Sequence, residues 1–118
     1  MKNILIADDS FIMRNWLKKL LKNDDIKFYE ASNGKMALDT IEKEDIGLVI
    51  LDLLMPEYDG FYFLDSIKGK NIYKNIIVLS ADIQDTTKEK VLSYNVKAFL
   101  NKPPKEDELN KIINEVFL

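Results

Sequence analysis

The 118-residue sequence contains no cysteine and no histidine. Without cysteine it has no disulfide, no thiolate nucleophile and no cysteine-based metal site. Without histidine it has no Ser-His-Asp triad, and it lacks both the commonest general base and the usual zinc ligand. Any chemistry must therefore use carboxylates, lysine, hydroxyl groups or a metal ion bound by oxygen atoms.

A long apolar run is also missing. No run exceeds five residues, whereas a membrane-spanning helix needs roughly 20. The apolar run at the start of the chain ends at Asp8, so it is too short for the hydrophobic region of a signal peptide. The net charge of −3 gives no overall basic field that would attract nucleic acid or anionic lipid. We therefore expect a cytoplasmic protein that binds neither nucleic acid nor a membrane.

Short apolar segments alternate with segments of helical periodicity along the chain. Five segments rich in apolar residues predict strands at 3–7, 27–31, 48–51, 75–79 and 97–100. Apolar residues at helical spacing predict helices after Ser10, at 35–44, 61–68 and 86–94, and after Pro104. This order predicts an α/β fold in which helices cover both faces of a parallel sheet, with 48–51 as a central strand. The length and the absence of a linker predict a single domain over 1–118.

Polar side chains follow four of the predicted strands. They are Asp8 and Asp9 after the first strand, Asp52 after the third, Ser80 after the fourth and Lys102 after the fifth. Ligands of open α/β sheets bind at the carboxyl ends of the strands, so these side chains are predicted to converge. Taken one at a time, each has an ordinary explanation as a helix cap, a turn residue or a solvated loop residue.

Taken together, three clustered carboxylates need more positive charge than one lysine provides. In a chain without histidine or cysteine, the fitting ion is a hard cation held by oxygen atoms. Mg²⁺ suits carboxylates combined with water and a phosphate. A lysine, a hydroxyl group and a metal ion around one carboxylate are what is needed to neutralise a phosphoryl group transferred to it.

Five short motifs occur in a characteristic order along the sequence. They are Ala7-Asp8-Asp9-Ser10, Leu51-Asp52-Leu-Leu-Met-Pro56, Asp59-Gly60, Leu79-Ser80-Ala81 and Lys102-Pro103. With this ordered set the chain resembles a response-regulator receiver domain of the chemotaxis CheY type over essentially its whole length. The resemblance implies a (βα)5 doubly wound, flavodoxin-like fold with five parallel strands in the order 2-1-3-4-5.

The resemblance also implies a role for each acidic residue. Asp52 would be the phosphoacceptor, and a histidine kinase or a phosphotransferase would be the donor. Asp9 and Asp52 would bind Mg²⁺ directly, Asp8 would hold it largely through water, and the backbone carbonyl of Leu54 would be a further ligand.

Residues of the last two strands would complete the switch. Lys102 and the Ser80 hydroxyl would contact phosphoryl oxygens, and Lys102-Pro103 would be a cis peptide bond. Ser80 and Phe99 would change position on phosphorylation and so alter the surface of the fourth helix, fifth strand and fifth helix, although Phe99 also fits plain core packing.

Several positions depart from the commonest family pattern. Phe99 lacks the hydroxyl group of tyrosine, and Asn95 stands where glycine is frequent; asparagine tolerates a left-handed conformation better than most residues. Leu54 and Asp82 follow Asp52 and Ser80 by two positions and are expected to tune the access of water to the acyl phosphate.

The leading interpretation is a monomeric, stand-alone response regulator that is not an enzyme with an external substrate. Its partners would be a kinase or phosphotransferase donor, an effector such as a flagellar switch protein, and a phosphatase. A phosphorelay intermediate and an unphosphorylated interaction module are the alternatives. A phosphatase with an aspartyl-phosphate intermediate would carry a second Asp at the position of Leu54. A flavodoxin-like cofactor site is disfavoured because Asp8 and Asp9 would repel a nucleotide phosphate.

Overall fold

The computed structural model describes residues 1–72, 74–82 and 84–117. Over these ranges, five strands alternate with five helices. Their bounds are β1 (Lys2–Ala7), α1 (Phe11–Leu20), β2 (Ile26–Ala31), α2 (Gly34–Lys43), β3 (Leu48–Asp52), α3 (Gly60–Gly69), β4 (Ile76–Ser80), α4 (Asp85–Leu92), β5 (Ala98–Asn101) and α5 (Glu106–Val116). The predicted alternation of strand and helix is confirmed.

The five strands form one parallel sheet in the order β2-β1-β3-β4-β5. The expected strand order and the central position of β3 are both confirmed. Every residue of β3 is buried, because helices cover the sheet on both sides. Each face carries its own apolar layer: α1 and α5 pack on one, and α2, α3 and α4 pack on the other.

The central strands run one residue further than the apolar pattern indicates. β3 ends at Asp52 and β4 ends at Ser80, because the ladder continues through the pairs Asp52–Leu79 and Ser80–Asn101. Both polar residues therefore lie inside the sheet. A side chain in a hydrogen-bonded ladder is held more firmly than one in a loop, which suits a site that requires fixed geometry.

The Asp59-Gly60 motif forms the beginning of α3. The Asp59 carboxylate caps the helix by accepting a hydrogen bond from Tyr62 N at 2.9 Å. A Cβ atom on Gly60 would lie 2.7 Å from the Asp52 carbonyl oxygen and 2.8 Å from Leu53 Cα. Glycine is therefore required here so that α3 can start directly against the end of β3.

Two further observations concern the backbone at Asn95 and the length and character of the helices. Asn95, between α4 and β5, has a φ of 62°, which is the left-handed conformation that asparagine accommodates. In the described ranges, no helix has the length and apolar character that a bilayer-spanning segment requires.

Candidate functional site

The polar residues that follow the strands meet in one cleft at the carboxyl edge of the sheet. The cleft has a volume of about 710 Å³, and its walls include Asp8, Asp9, Asp52, Ser80 and Lys102. Among the described residues, the polar side chains that are buried are those of Asp8, Asp52 and Ser80, with exposures of 2%, 7% and 4%. All three belong to this cleft, so the fold concentrates its buried polar groups in one place.

Lys102 is shared between two of the buried carboxylates. Its Nζ lies 2.8 Å from Asp8 Oδ2 and 3.3 Å from Asp52 Oδ2. Burial raises the pKa of the Asp52 carboxyl, and the charge of Asp8 adds to this, while Lys102 opposes both effects. Burial lowers the pKa of Lys102, but the hydrogen bond to Asp8 and the charge of Asp52 outweigh it and hold that pKa above its ordinary value.

The acidic cluster has the ligand chemistry of a divalent cation site. One carboxylate oxygen from each of Asp8, Asp9 and Asp52 can be chosen so that all three lie within 4.8 Å of one another. Asp9 is exposed, whereas the other two are buried. Carboxylate oxygens beside open solvent fit Mg²⁺, which prefers oxygen ligands and retains several waters.

Leu54 lies in the loop after β3 and lines the same cleft. Its side chain is 83% exposed, and its backbone N–H donates to Asp52 Oδ1 at 3.4 Å. The loop thus contacts the Asp52 carboxylate through the backbone and leaves an apolar side chain at the mouth of the cleft. That the Leu54 carbonyl binds a metal remains a prediction.

Ser80 is held by the loop that leads into α4. Its Oγ accepts a hydrogen bond from Asp82 N at 3.0 Å. The Asp82 carboxylate accepts from Gln84 N at 2.9 Å and from Thr87 Oγ1 at 2.7 Å, and these bonds lower the pKa of Asp82. Asp82 therefore connects Ser80, at the end of β4, to Thr87 in the first turn of α4.

Phe99 lies in β5, and Pro103 directly follows the cleft residue Lys102. Phe99 is half-buried in β5 and packs against the apolar layer of α2, α3 and α4. It also lines a groove of about 380 Å³ whose wall includes Asp85, Lys88 and Glu108. The Lys102–Pro103 peptide bond is cis.

A family model described as "Response regulator receiver domain" matches residues 4–114. The chain belongs to this family. Because the match runs from β1 through α5, the receiver domain includes every residue of the cleft described above.

Relatives and solved structures agree with this assignment. Chemotaxis protein CheY of Bacillus subtilis (strain 168) is 34% identical over 113 residues, which cover 95% of this chain and 94% of that protein. Response regulator GtcR of Aneurinibacillus migulanus is 35% identical over 103 residues, but this chain spans only 42% of its length. The Francisella response regulator 1452 receiver domain superimposes with a TM-score of 0.90 at 28% identity and covers 98% of this chain and 96% of its own.

Arg14, which contacts the cleft backbone, and its partner Glu30 were not predicted from the sequence. In this receiver domain, Arg14 of α1 donates to the Asp8 carbonyl oxygen, and Glu30 of β2 accepts from Arg14. Arg14 follows the N-cap Ser10 by four residues, so helical spacing alone places it on the same face of α1 as Ser10. The pairing with Glu30 depends on β2 lying next to β1, which the local sequence does not reveal.

Proposed function

We propose that this receiver domain is a phosphorylation switch in which Asp52 accepts a phosphoryl group from a phosphohistidine of a partner protein. The observation that carries the proposal is the concentration of the buried polar side chains, Asp8, Asp52 and Ser80, around Lys102 in one cleft. Burying carboxylates is costly unless they are paired, and here two of them share one lysine, which points to a functional reason for their burial. The family supports the same role, because receiver domains belong to two-component response regulators.

The transfer is a substitution at phosphorus. An oxygen of the Asp52 carboxylate forms the new P–O bond, the P–N bond of phosphohistidine breaks, and its electron pair returns to the imidazole. Charge is spread over the phosphoryl oxygens during this step. Lys102 Nζ, 3.3 Å from the Asp52 carboxylate, and the Ser80 hydroxyl supply the positive and hydrogen-bonding groups that stabilise it.

Asp8, Asp9 and Asp52 would hold a Mg²⁺ ion, as the donor set described above permits. The ion would supply positive charge that offsets the repulsion between the phosphoryl group and the carboxylates. Lys102 alone serves two carboxylates, so it cannot supply that charge by itself.

The proposed output surface is formed by α4, β5 and α5. Asp82 and Thr87 connect Ser80 to α4, and Phe99 lies in β5 beside the groove bounded by α4 and α5. A change at Ser80 would thus reach this surface through two hydrogen bonds. We propose that the monomeric domain acts in the cytoplasm on an effector protein, such as a flagellar switch protein, and that a phosphatase resets it.

The test is a mass measurement on the intact protein. The protein is incubated with Mg²⁺ and either acetyl phosphate or phosphoramidate, and the gain of one phosphoryl group is recorded. We expect a Mg²⁺-dependent gain that is absent in Asp52→Asn. Asp59→Asn is a matched control, because it makes the same chemical change in the same cleft and asparagine still caps α3.

The alternatives predict different results in this assay. No gain with either donor, together with no binding of Mg²⁺, would refute the switch and favour an unphosphorylated interaction module. A phosphorylated protein that passes its phosphoryl group to a phosphotransferase, without any change in effector binding, would be a phosphorelay intermediate.

A further inference from the structure

The side chain of Arg14 contacts the backbone of the acidic pair. Its Nη1 donates to the Asp8 carbonyl oxygen at 2.6 Å, and its Nε donates to Glu30 Oε1 at 3.0 Å. The side chain is only 14% exposed, and its guanidinium carbon lies 5.7 Å from the centre of the Phe11 ring. A guanidinium presents its N–H groups in a rigid fork, so two acceptors fix its orientation.

Glu30 anchors the Arg14 side chain to the sheet. It lies in β2, where it is paired with Ile6 of β1. Its second carboxylate oxygen accepts from Lys18 Nζ at 2.9 Å. The hydrogen bonds from Lys18 and Arg14 hold the pKa of Glu30 below its usual value. The carboxylate is therefore charged at neutral pH and anchors the guanidinium.

The carbonyl that Arg14 contacts belongs to the peptide joining Asp8 to Asp9. The other polar groups of Asp8 are also engaged: its N–H donates to the Ala31 carbonyl at 3.0 Å, and its Oδ1 accepts from Ser10 N at 2.9 Å. The Asp8 N–H belongs to the preceding peptide and is held by β2, while the Asp8 carbonyl is held by α1, so the backbone is fixed on both sides of the Asp8 Cα. Asp9 is exposed, and its Cα is carried by the Asp8–Asp9 peptide, so the point from which its carboxylate extends depends on this backbone.

We propose that Arg14, anchored by Glu30, is a positioning residue that orients the Asp8–Asp9 pair toward a divalent cation. The inference rests on the proposed function, because the cation is the Mg²⁺ that the acidic cluster would hold. Arg14 acts through the Asp8 carbonyl and not through the phosphoryl group.

An electrostatic role of Arg14 and a positioning role predict different effects of its substitution on Mg²⁺ binding. If Arg14 acted only as a positive charge near the cation, Arg14→Gln would tighten Mg²⁺ binding and Arg14→Lys would leave it unchanged. If Arg14 positions the acidic pair, both variants weaken binding, because neither side chain can bond the Asp8 carbonyl and Glu30 with the same fork. We expect the dissociation constant for Mg²⁺ to rise about tenfold in both variants, as for other residues that orient metal ligands.

The measurement is a Mg²⁺ titration of the ¹⁵N-labelled full chain, followed in ¹H–¹⁵N correlation spectra. Lys19→Gln is the matched control, since it removes one exposed lysine from the same helix and is expected to change the dissociation constant by less than about twofold. A second readout needs no metal: the Asp9 amide shares its peptide with the Asp8 carbonyl, so its resonance should shift in Arg14→Lys but not in Lys19→Gln. Arg14→Lys carries the test if Arg14→Gln does not fold.

Each outcome decides between the proposals. Unchanged binding in Arg14→Lys, or tighter binding in Arg14→Gln, overturns the positioning role while leaving the proposed function intact. An unsubstituted protein that shows no saturable change with Mg²⁺ overturns both.

Discussion

At the scale of single residues, the decisive feature is one ammonium group shared by two buried carboxylates. Lys102 pairs with both Asp8 and Asp52, yet burial and the charge of Asp8 still raise the pKa of Asp52. Ionised Asp52 therefore opposes folding. The proposed reaction needs a charged nucleophile at this position, and that same charge reduces the stability of the folded state.

Removing the charge of Asp52 should stabilise the protein at neutral pH. A carboxyl group with a raised pKa in the folded state contributes its full stability below its ordinary pKa and loses that stability as pH rises through the raised value. Asp52→Asn avoids this loss, and Lys102 keeps its ion pair with Asp8. We expect its free energy of unfolding in EDTA to exceed that of the unsubstituted protein by on the order of 1 kcal/mol at pH 7.

Urea unfolding at pH 7 and pH 3 measures the difference in the free energy of unfolding between Asp52→Asn and the unsubstituted protein. The two proteins should approach equal stability at pH 3, where Asp52 is protonated in both the folded and the unfolded states. A gain of the same size at both pH values would show that the effect does not come from the ionisation of Asp52.

At the scale of elements, α3 links the cleft to the rest of the molecule and carries a glycine at each of its ends. Its first residue, Gly60, packs against the backbone of Asp52 and Leu53, whereas a Cβ atom on its last residue, Gly69, would have no neighbouring atom within 4 Å. The same helix therefore contains a glycine that the fold requires and one that it does not.

Alanine substitutions at these two glycines should have opposite effects on stability. Gly60→Ala forces Cβ into backbone atoms and is expected to cost about 2 kcal/mol. Gly69→Ala meets no obstruction and should gain up to about 1 kcal/mol by reducing the entropy of the unfolded chain. Chemical denaturation of both variants tests this, and equal destabilisation would contradict the packing argument.

The contact between α3 and α4 is partly polar and has its own pH signature. The Tyr94 hydroxyl, just after α4, donates to the Asp65 carboxylate of α3, which raises the pKa of Tyr94 to about 12. Phe61, which lines the cleft, lies against Tyr94 with ring centres 6.3 Å apart. Within α4, Val91 is the buried residue, so the Tyr94–Asp65 bond adds a polar contact beside a helix that buries little of its own surface.

The stability from the Tyr94–Asp65 bond should be lost only at high pH. It is fully present below about pH 10, the ordinary tyrosine pKa, and disappears as pH rises through about 12. We expect an absorbance titration at 295 nm to show a late tyrosine step that Tyr94→Phe removes and Tyr58→Phe retains. Tyr94→Phe should also lose about 1 kcal/mol of stability at pH 7, and a late step that survives this substitution would refute the assignment.

At the scale of the whole molecule, the elements followed from sequence but several contacts did not. A parallel sheet covered on both faces leaves short apolar runs, which is why β1, β3 and β4 are visible in the sequence. The strand order came from the resemblance, since local patterns carry no information about neighbours. The contacts of Arg14 with Glu30 and of Thr87 with Asp82 were not visible, because each depends on how elements pack or how a loop turns.

Binding of Mg²⁺ to the cleft should stabilise the entire domain. A ligand that binds only the folded state at ten times its dissociation constant adds about 1.4 kcal/mol to the free energy of unfolding. For a domain of this size the thermal midpoint would rise by roughly 5 °C. Thermal unfolding with MgCl₂, against NaCl of equal ionic strength, measures this; the rise should shrink in Asp9→Asn, and a rise that is equal in both salts would point to general screening.

The two apolar layers lie on opposite faces of one sheet and have no buried side chain in common. Energetic coupling between substitutions is expected among residues that touch and fades for sites that share no partners. Losses from truncating one side chain in each layer should therefore add, whereas truncations of two side chains that touch within one layer should not. The cleft at the strand ends is bordered by Leu53, Met55 and Phe61 of the layer beneath α2, α3 and α4. Truncations in that layer should therefore couple to the proposed site more strongly than truncations in the layer beneath α1 and α5.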